Sequence, residues 1–162
     1  MNKIQQAIIT ALIALFALSA SAQMTVKRFG NERSIIATAI WAGDTLYVSG
    51  QLPAPTPPAD PTKGDKPKIQ GDTKAQTINT LNVIQNILKE QGLTMGDIVQ
   101  MSVWLSPDPA LGKIDFPGMN EGYKQFFGTK EQPNKPVRAT VQSGLVIPDA
   151  LVEIAVVAVR SK

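Results

Sequence analysis

The segment KPVRATVQSGLVIPDALVEIAVVAV, residues 135–159, decides the fold. It reads as two strands joined at Ile147-Pro148-Asp149. Strand side chains alternate between faces, so Arg138 shares one with Thr140 and Gln142, and Glu153 shares one with Leu151, Ala155 and Val157. The second strand is apolar on its other face too, through Val152, Ile154, Val156 and Ala158, the pattern of a strand covered on both sides. A carboxylate in such a strand is costly unless a charge or a hydrogen bond answers it. Arg138 is the obvious partner for Glu153.

Outward from this segment, the remaining elements follow in order. Residues 98–105 form another strand, ended by Ser106-Pro107-Asp108-Pro109. Upstream of it, Ala75, Ile78, Leu81, Ile84 and Leu88 recur at helical spacing and predict an amphipathic helix over 73–91. Thr73 and Gln76 fit a capping box, and Gly92 fits a C-terminal stop. A second helix begins near Phe116, where Pro117 is tolerated in the first turn, and runs to a stop at Gly128. Gly118 and Gly122 weaken it by about 1 kcal/mol each relative to alanine. Residues 34–40 and 45–51 read as a hairpin turning at Gly43-Asp44, and residues 24–33 as an irregular arm or short edge strand. Six prolines within residues 53–71 make that stretch an extended loop, most simply a surface excursion, although a docking ligand or a rim over a site is also open. The order β-β-α-β-α-β-β predicts an α+β sandwich with the helices on one face of a mixed sheet. The other face then needs a cover, and a second copy of the chain supplies one most simply.

Composition narrows the chemistry sharply. The chain has 162 residues, 43% of them hydrophobic, enough for one globular domain. Lys3, the apolar run 7–20 and Ala20-Ser21-Ala22 read as a secretory signal (1–22) cleaved after Ala22. The run is short of the ~20 residues of a span, so no stable membrane insertion is expected after cleavage of the leader. The domain would then occupy 23–162, in the periplasm or outside the cell. Removing Lys3 leaves 16 − 1 = 15 basic against 13 acidic side chains, a charge of +2. With no basic-aromatic stripe, no nucleic-acid partner is expected. There is no cysteine and no histidine. Thiol nucleophiles, histidine-based triads and histidine metal ligands are excluded, so catalysis must come from carboxylates, Arg, Lys, Tyr, hydroxyls or backbone.

Four motifs in series give the chain a family resemblance. They are LYVSGQLP at residues 46–53; Gly92-Leu93 followed by Asp97-Ile98-Val99; Met119-Asn120 with Tyr123 and Phe126-Phe127; and Pro136 and Arg138 followed by Ile147-Pro148 and Val152-Glu153-Ile154. Together they resemble the Rid, or YjgF, family of enamine/imine deaminases. The resemblance implies a chorismate-mutase-like sandwich assembled as a homotrimer, with clefts between subunits. It implies that Arg138 grips a substrate carboxylate and that Glu153 handles the hydrolytic water. Ser49 and Gly50 match cleft residues, and Asn120 matches a polar residue of the second helix. Two departures stand out: Ile36 occupies the position of a family tyrosine, and Thr140 stands where a cysteine or small residue is usual. Tyr123, Phe126 and Phe127 read as core.

The chemistry implied is addition of water to the C=N of a 2-imino acid, with release of ammonia and a 2-oxo acid, and it needs no cofactor or metal. A guanidinium can hold a carboxylate with two parallel bonds. A carboxylate can orient and deprotonate water and then return a proton to nitrogen. Two other readings remain open. Arg138 and Glu153 could be a buried ion pair that only fixes strand register. The same arginine cleft could bind carboxylate metabolites without turnover, consistent with Ile36. An exported deaminase would also need an exported source of imines, such as an amino-acid oxidase.

Overall fold

A computed structural model describes residues 24–58 and 60–161. The expected signal segment lies outside them. Six strands form one sheet: β1 (Val26–Phe29), β2 (Ala39–Ala42), β3 (Thr45–Gln51), β4 (Ile98–Leu105), β5 (Val137–Gln142) and β6 (Val152–Val159). Two helices, α1 (Thr73–Glu90) and α2 (Phe116–Tyr123), accompany it. The spatial order is β1-β2-β3-β6-β4-β5, with β4 and β5 parallel and every other pair antiparallel. Both helices lie on one face, giving the expected α+β sandwich. Its core joins Leu46, Met101, Val103, Ile154 and Val156 of the sheet to Leu81, Ile84, Leu88 and Met119 of the helices.

The stretch 135–159 does contain two strands, but they are not a hairpin. β4 lies between β5 and β6 and pairs with both. The apolar alternation of β6 explains this. One row of β6, Val152, Ile154, Val156 and Ala158, is buried, and the other row is half-buried even in a single chain. Such a strand belongs at the centre of a sheet. β5 carries Arg138, Thr140 and Gln142 and goes to the edge, where polar side chains are tolerated. Residues 143–151 are long enough to span the end of β4 between them.

Three element boundaries differ from the sequence expectation. β2 starts at Ala39, because residues 34–38 are drawn onto the end of β3 by bonds from Ser49 N to Thr38 O (3.0 Å) and from Ser49 Oγ to Ala37 O (2.6 Å). The N-cap of α1 is Asp72, whose carboxylate accepts from Ala75 N at 2.8 Å, so Thr73 is not the cap. Gln76 is buried and spends its amide elsewhere: Nε2 donates to Gly71 O and Asp149 O, and Oε1 accepts from Leu151 N. It therefore ties the start of α1 to the entry into β6. α2 stops at Tyr123, short of Phe126 and Phe127, which continue in turns while Phe127 remains in the core.

The two glycines of α2 are there for contact. A Cβ at Gly122 would sit 2.9 Å from Thr77 Cβ and 3.0 Å from Lys74 O on α1. One at Gly118 would collide with the Asp115 carboxylate that caps the helix by accepting from Gly118 N at 2.9 Å. Close helix approach outweighs the propensity cost.

Candidate active site

Arg138 is the second residue of β5 and sits opposite Met101, a buried residue of β4 on the helix side of the sheet. Its side chain therefore points toward α2. There Nη2 donates to Asn120 Oδ1 at 2.7 Å, and Nη1 lies 3.6 Å from Met119 Sδ. The guanidinium carbon is 4.4 Å from the Tyr123 ring centroid and 6.0 Å from that of Phe116. Tyr123 in turn stacks on the buried Phe127, with centroids 4.6 Å apart. Burial raises the Tyr123 phenol above its ordinary pKa, with the Arg138 charge acting in opposition. The cation is thus fixed by one charged hydrogen bond and an aromatic stack that runs back into the core. Among the described residues no carboxylate pairs with it. Thr140 is two residues further along the same face, opposite Val103, and its buried Oγ1 has no hydrogen-bond partner among the described residues.

Glu153 is the second residue of β6, opposite Trp104 on β4. It belongs to the half-buried row, on the face of the sheet away from the helices. Gly50 lies against it: a Cβ there would collide with Glu153 Oε1, so only glycine lets the carboxylate occupy this place. The β3–β6 register is interrupted between Val48 and Gln51, which lets Ser49 and Gly50 bend past the acid. Ser49 is a pinning residue: its hydroxyl is committed to Ala37 O. By that bond it holds Ile35 and Ile36, 100% and 62% exposed, beside this end of β3.

The six site residues expected from sequence therefore fall into two groups. Arg138, Asn120 and Thr140 lie on the helix side, and Ser49, Gly50 and Glu153 cluster on the opposite side. The expectation that Arg138 answers Glu153 fails within one chain. Two strand spacings and the three-residue offset from Met101 to Trp104 separate their backbones by roughly 14 Å, and their side chains leave opposite faces. The register-fixing ion pair is thereby ruled out inside the protomer. Alternation along each strand was legible; the intervening β4, which reverses the relation between the two rows, was not. Tyr123, read as core, does pack against the core, and it also covers the Arg138 guanidinium, a second contact that sequence reasoning missed. Its position one helical turn after Asn120 was the available signal.

Among the described residues no cluster of acidic side chains could hold a metal ion, and no helix is long and apolar enough to cross a membrane.

A family model described as Endoribonuclease L-PSP matches residues 34–160. The chain belongs to this family, also called YjgF or Rid. A RutC family protein of Pyrococcus horikoshii is 34% identical to this Rid chain over 122 residues, 75% of the chain and 84% of the relative. The candidate reactive intermediate deaminase TdcF of Escherichia coli is 34% identical over 119 residues, 74% and 81% of the two chains. Among solved structures, Escherichia coli TdcF with bound serine superposes with a TM-score of 0.62 at 30% identity, covering 85% of this chain and 98% of that one. Yeast Mmf1 gives a TM-score of 0.65 at 25% identity, covering 85% and 100%. The mixed six-stranded sheet with two helices is an α+β fold whose structural neighbours are YjgF-family proteins of chorismate-mutase-like fold.

Proposed function

We propose that this Rid-family chain hydrolyses reactive 2-imino carboxylic acids to 2-oxo acids and ammonia. The observation that carries the reading is Arg138: a guanidinium immobilised by Asn120 and Tyr123, with no acidic partner among the described residues. A cation held this way is organised for an incoming carboxylate, which accepts two charged bonds worth about 1.5–3 kcal/mol each. Glu153, free of any ion pair among the described residues, is suited to hold water and shuttle its proton. In the balanced step, water oxygen bonds to the imine carbon while Glu153 takes its proton. That proton passes to the imine nitrogen, giving a carbinolamine. Glu153 then moves the remaining hydroxyl proton to the amino nitrogen as the C–N bond breaks, C=O forms and ammonia leaves.

Because the two groups lie on opposite faces, we infer that a neighbouring copy completes the site, Arg138 of one protomer meeting Glu153 of the next in a homotrimer. Tyr47, Val137 and Val141, all exposed on the open face, support burial of that face by other copies. The leader favours a periplasmic or secreted location, where an oxidase acting on amino acids would be a suitable source of imines.

The word endoribonuclease in the family description does not transfer easily. One held guanidinium on a chain of net charge +3 is not the multi-cation track that an RNA backbone requires. A non-catalytic carboxylate-binding role is the second reading, favoured by one observation: Ile36 stands where active relatives often carry a tyrosine.

The deciding experiment is semicarbazide trapping of 2-iminopropanoate generated in situ. Faster loss of trappable imine with wild type than with Glu153→Gln supports hydrolysis. Equal rates with and without protein, together with pyruvate binding that Arg138→Ala abolishes, would leave only the binding role.

A further inference from the structure

Residues 53–71 fold into a wall. The loop is pinned to α1 by a bond from Ala54 N to Asn79 Oδ1 at 2.8 Å. A bridge between Thr56 and Lys68, with N···O distances of 2.9 and 3.2 Å, closes it on itself. Between this loop and the turn leading into β6 lies a recess of about 390 Å³, lined mainly by Leu52, Pro53, Pro55, Pro67, Ile147 and Pro148. Four of those six side chains are proline rings, whose fixed φ preforms the walls. A cavity ordered before binding costs a ligand less to fill. Its size suits a small-molecule side chain, within the usual range for ligand clefts.

The recess is linked to the strand end nearest the acid of the candidate site through Leu52. The last paired residue of β3, Gln51, faces Ile154. Continuing that register by one residue sets Leu52 beside Glu153, one strand spacing of about 5 Å away. Alternation then turns Leu52 to the same face as Gly50 and Glu153. Leu52, which lines the recess, is the residue that this extended register carries toward the acid.

We propose that this recess receives the side chain of the substrate, so that the preferred 2-imino acid is one with a branched or long apolar side chain. This rests on the proposed reading of Arg138 and Glu153 and adds the class of substrate to it. The prolines, Leu52, Ile69 and Ile147 offer apolar contact beside two charged lining residues, Lys68 and Asp149. Each methylene buried against the apolar ones improves affinity by about fourfold.

The test uses product-like acids, so it is independent of turnover. Calorimetric titration of the full mature chain with pyruvate and with 4-methyl-2-oxopentanoate is expected to give at least about tenfold tighter binding of the branched acid. Ile69 also lines the recess and has no place in the catalytic machinery. Ile69→Asn should cut that preference to about twofold while leaving pyruvate affinity within about twofold of wild type. A second variant, Pro55→Asp, should do the same. Equal affinity for the two acids in wild type, or a preference that survives both variants, would overturn the recess as a side-chain site. Failure of either acid to bind at all would instead remove the Arg138 site and this proposal with it.

Discussion

Arg138 draws its proposed role from what surrounds it: Asn120 takes one N–H and Tyr123 covers one face of the guanidinium. Lysine retains the charge but neither the planar fork nor the stack. Arg138→Lys is therefore expected to weaken pyruvate binding by tenfold or more, measured by calorimetry, with the unfolding midpoint little changed. An affinity within about twofold of wild type would mean that a point charge suffices and that the fork is irrelevant. At Gly50 and Glu153 the sequence offered a glycine and an acid 103 residues apart, from 153 − 50. Nothing in local pattern told that one exists to make room for the other, because that contact is across strands and beyond the reach of periodicity.

At the scale of elements, α1 is anchored at its start more firmly than a single cap would do. Gln76→Ala would leave Leu151 N–H buried without its acceptor and would free Asp149 O and Gly71 O. A loss of about 2–4 kcal/mol in denaturant unfolding is expected, against about 1 kcal/mol for Asp72→Ala at the cap. The two helices are also joined by Lys74 Nζ to Glu121 Oε2 at 2.8 Å. The Lys74 hydrogen bond, then its charge, holds the Glu121 carboxyl below its ordinary pKa. A lowered folded-state pKa contributes stability above the unfolded value, and that contribution is lost as pH falls through the folded value. Both side chains are well exposed, so the effect is small and screened by salt. Thermal unfolding of wild type and Glu121→Gln should differ near neutrality and converge in acid; a gap that persists below the carboxylate range would assign it to packing instead.

For the whole molecule, the central issue is what covers the open face of the sheet. A mass of three chains is expected in sedimentation, and a single-chain mass at working concentration would leave Arg138 and Glu153 without each other. Mixing inactive Arg138→Ala and Glu153→Gln chains provides a sharper check. If neighbours share each site, mixed trimers regain some sites with both groups intact, and imine hydrolysis partly returns. If activity stays at the level of the separate variants, the cleft is not shared.

By itself, the sequence determined the class of fold, the span of β4, most of α1 and the narrow chemical menu left by a chain without cysteine or histidine, and left residues 24–33 open between an arm and the edge strand β1. These depend on local periodicity, turn residues and composition, all of which act over a few positions or over none. Only the tertiary structure decided that β4 separates β5 from β6, that Arg138 and Glu153 leave opposite faces, that Tyr123 covers the arginine, and that a proline-lined recess forms between the 53–71 loop and the turn into β6. Strand order is chosen by which strands bury both faces, a property of the assembled sheet that no single stretch contains.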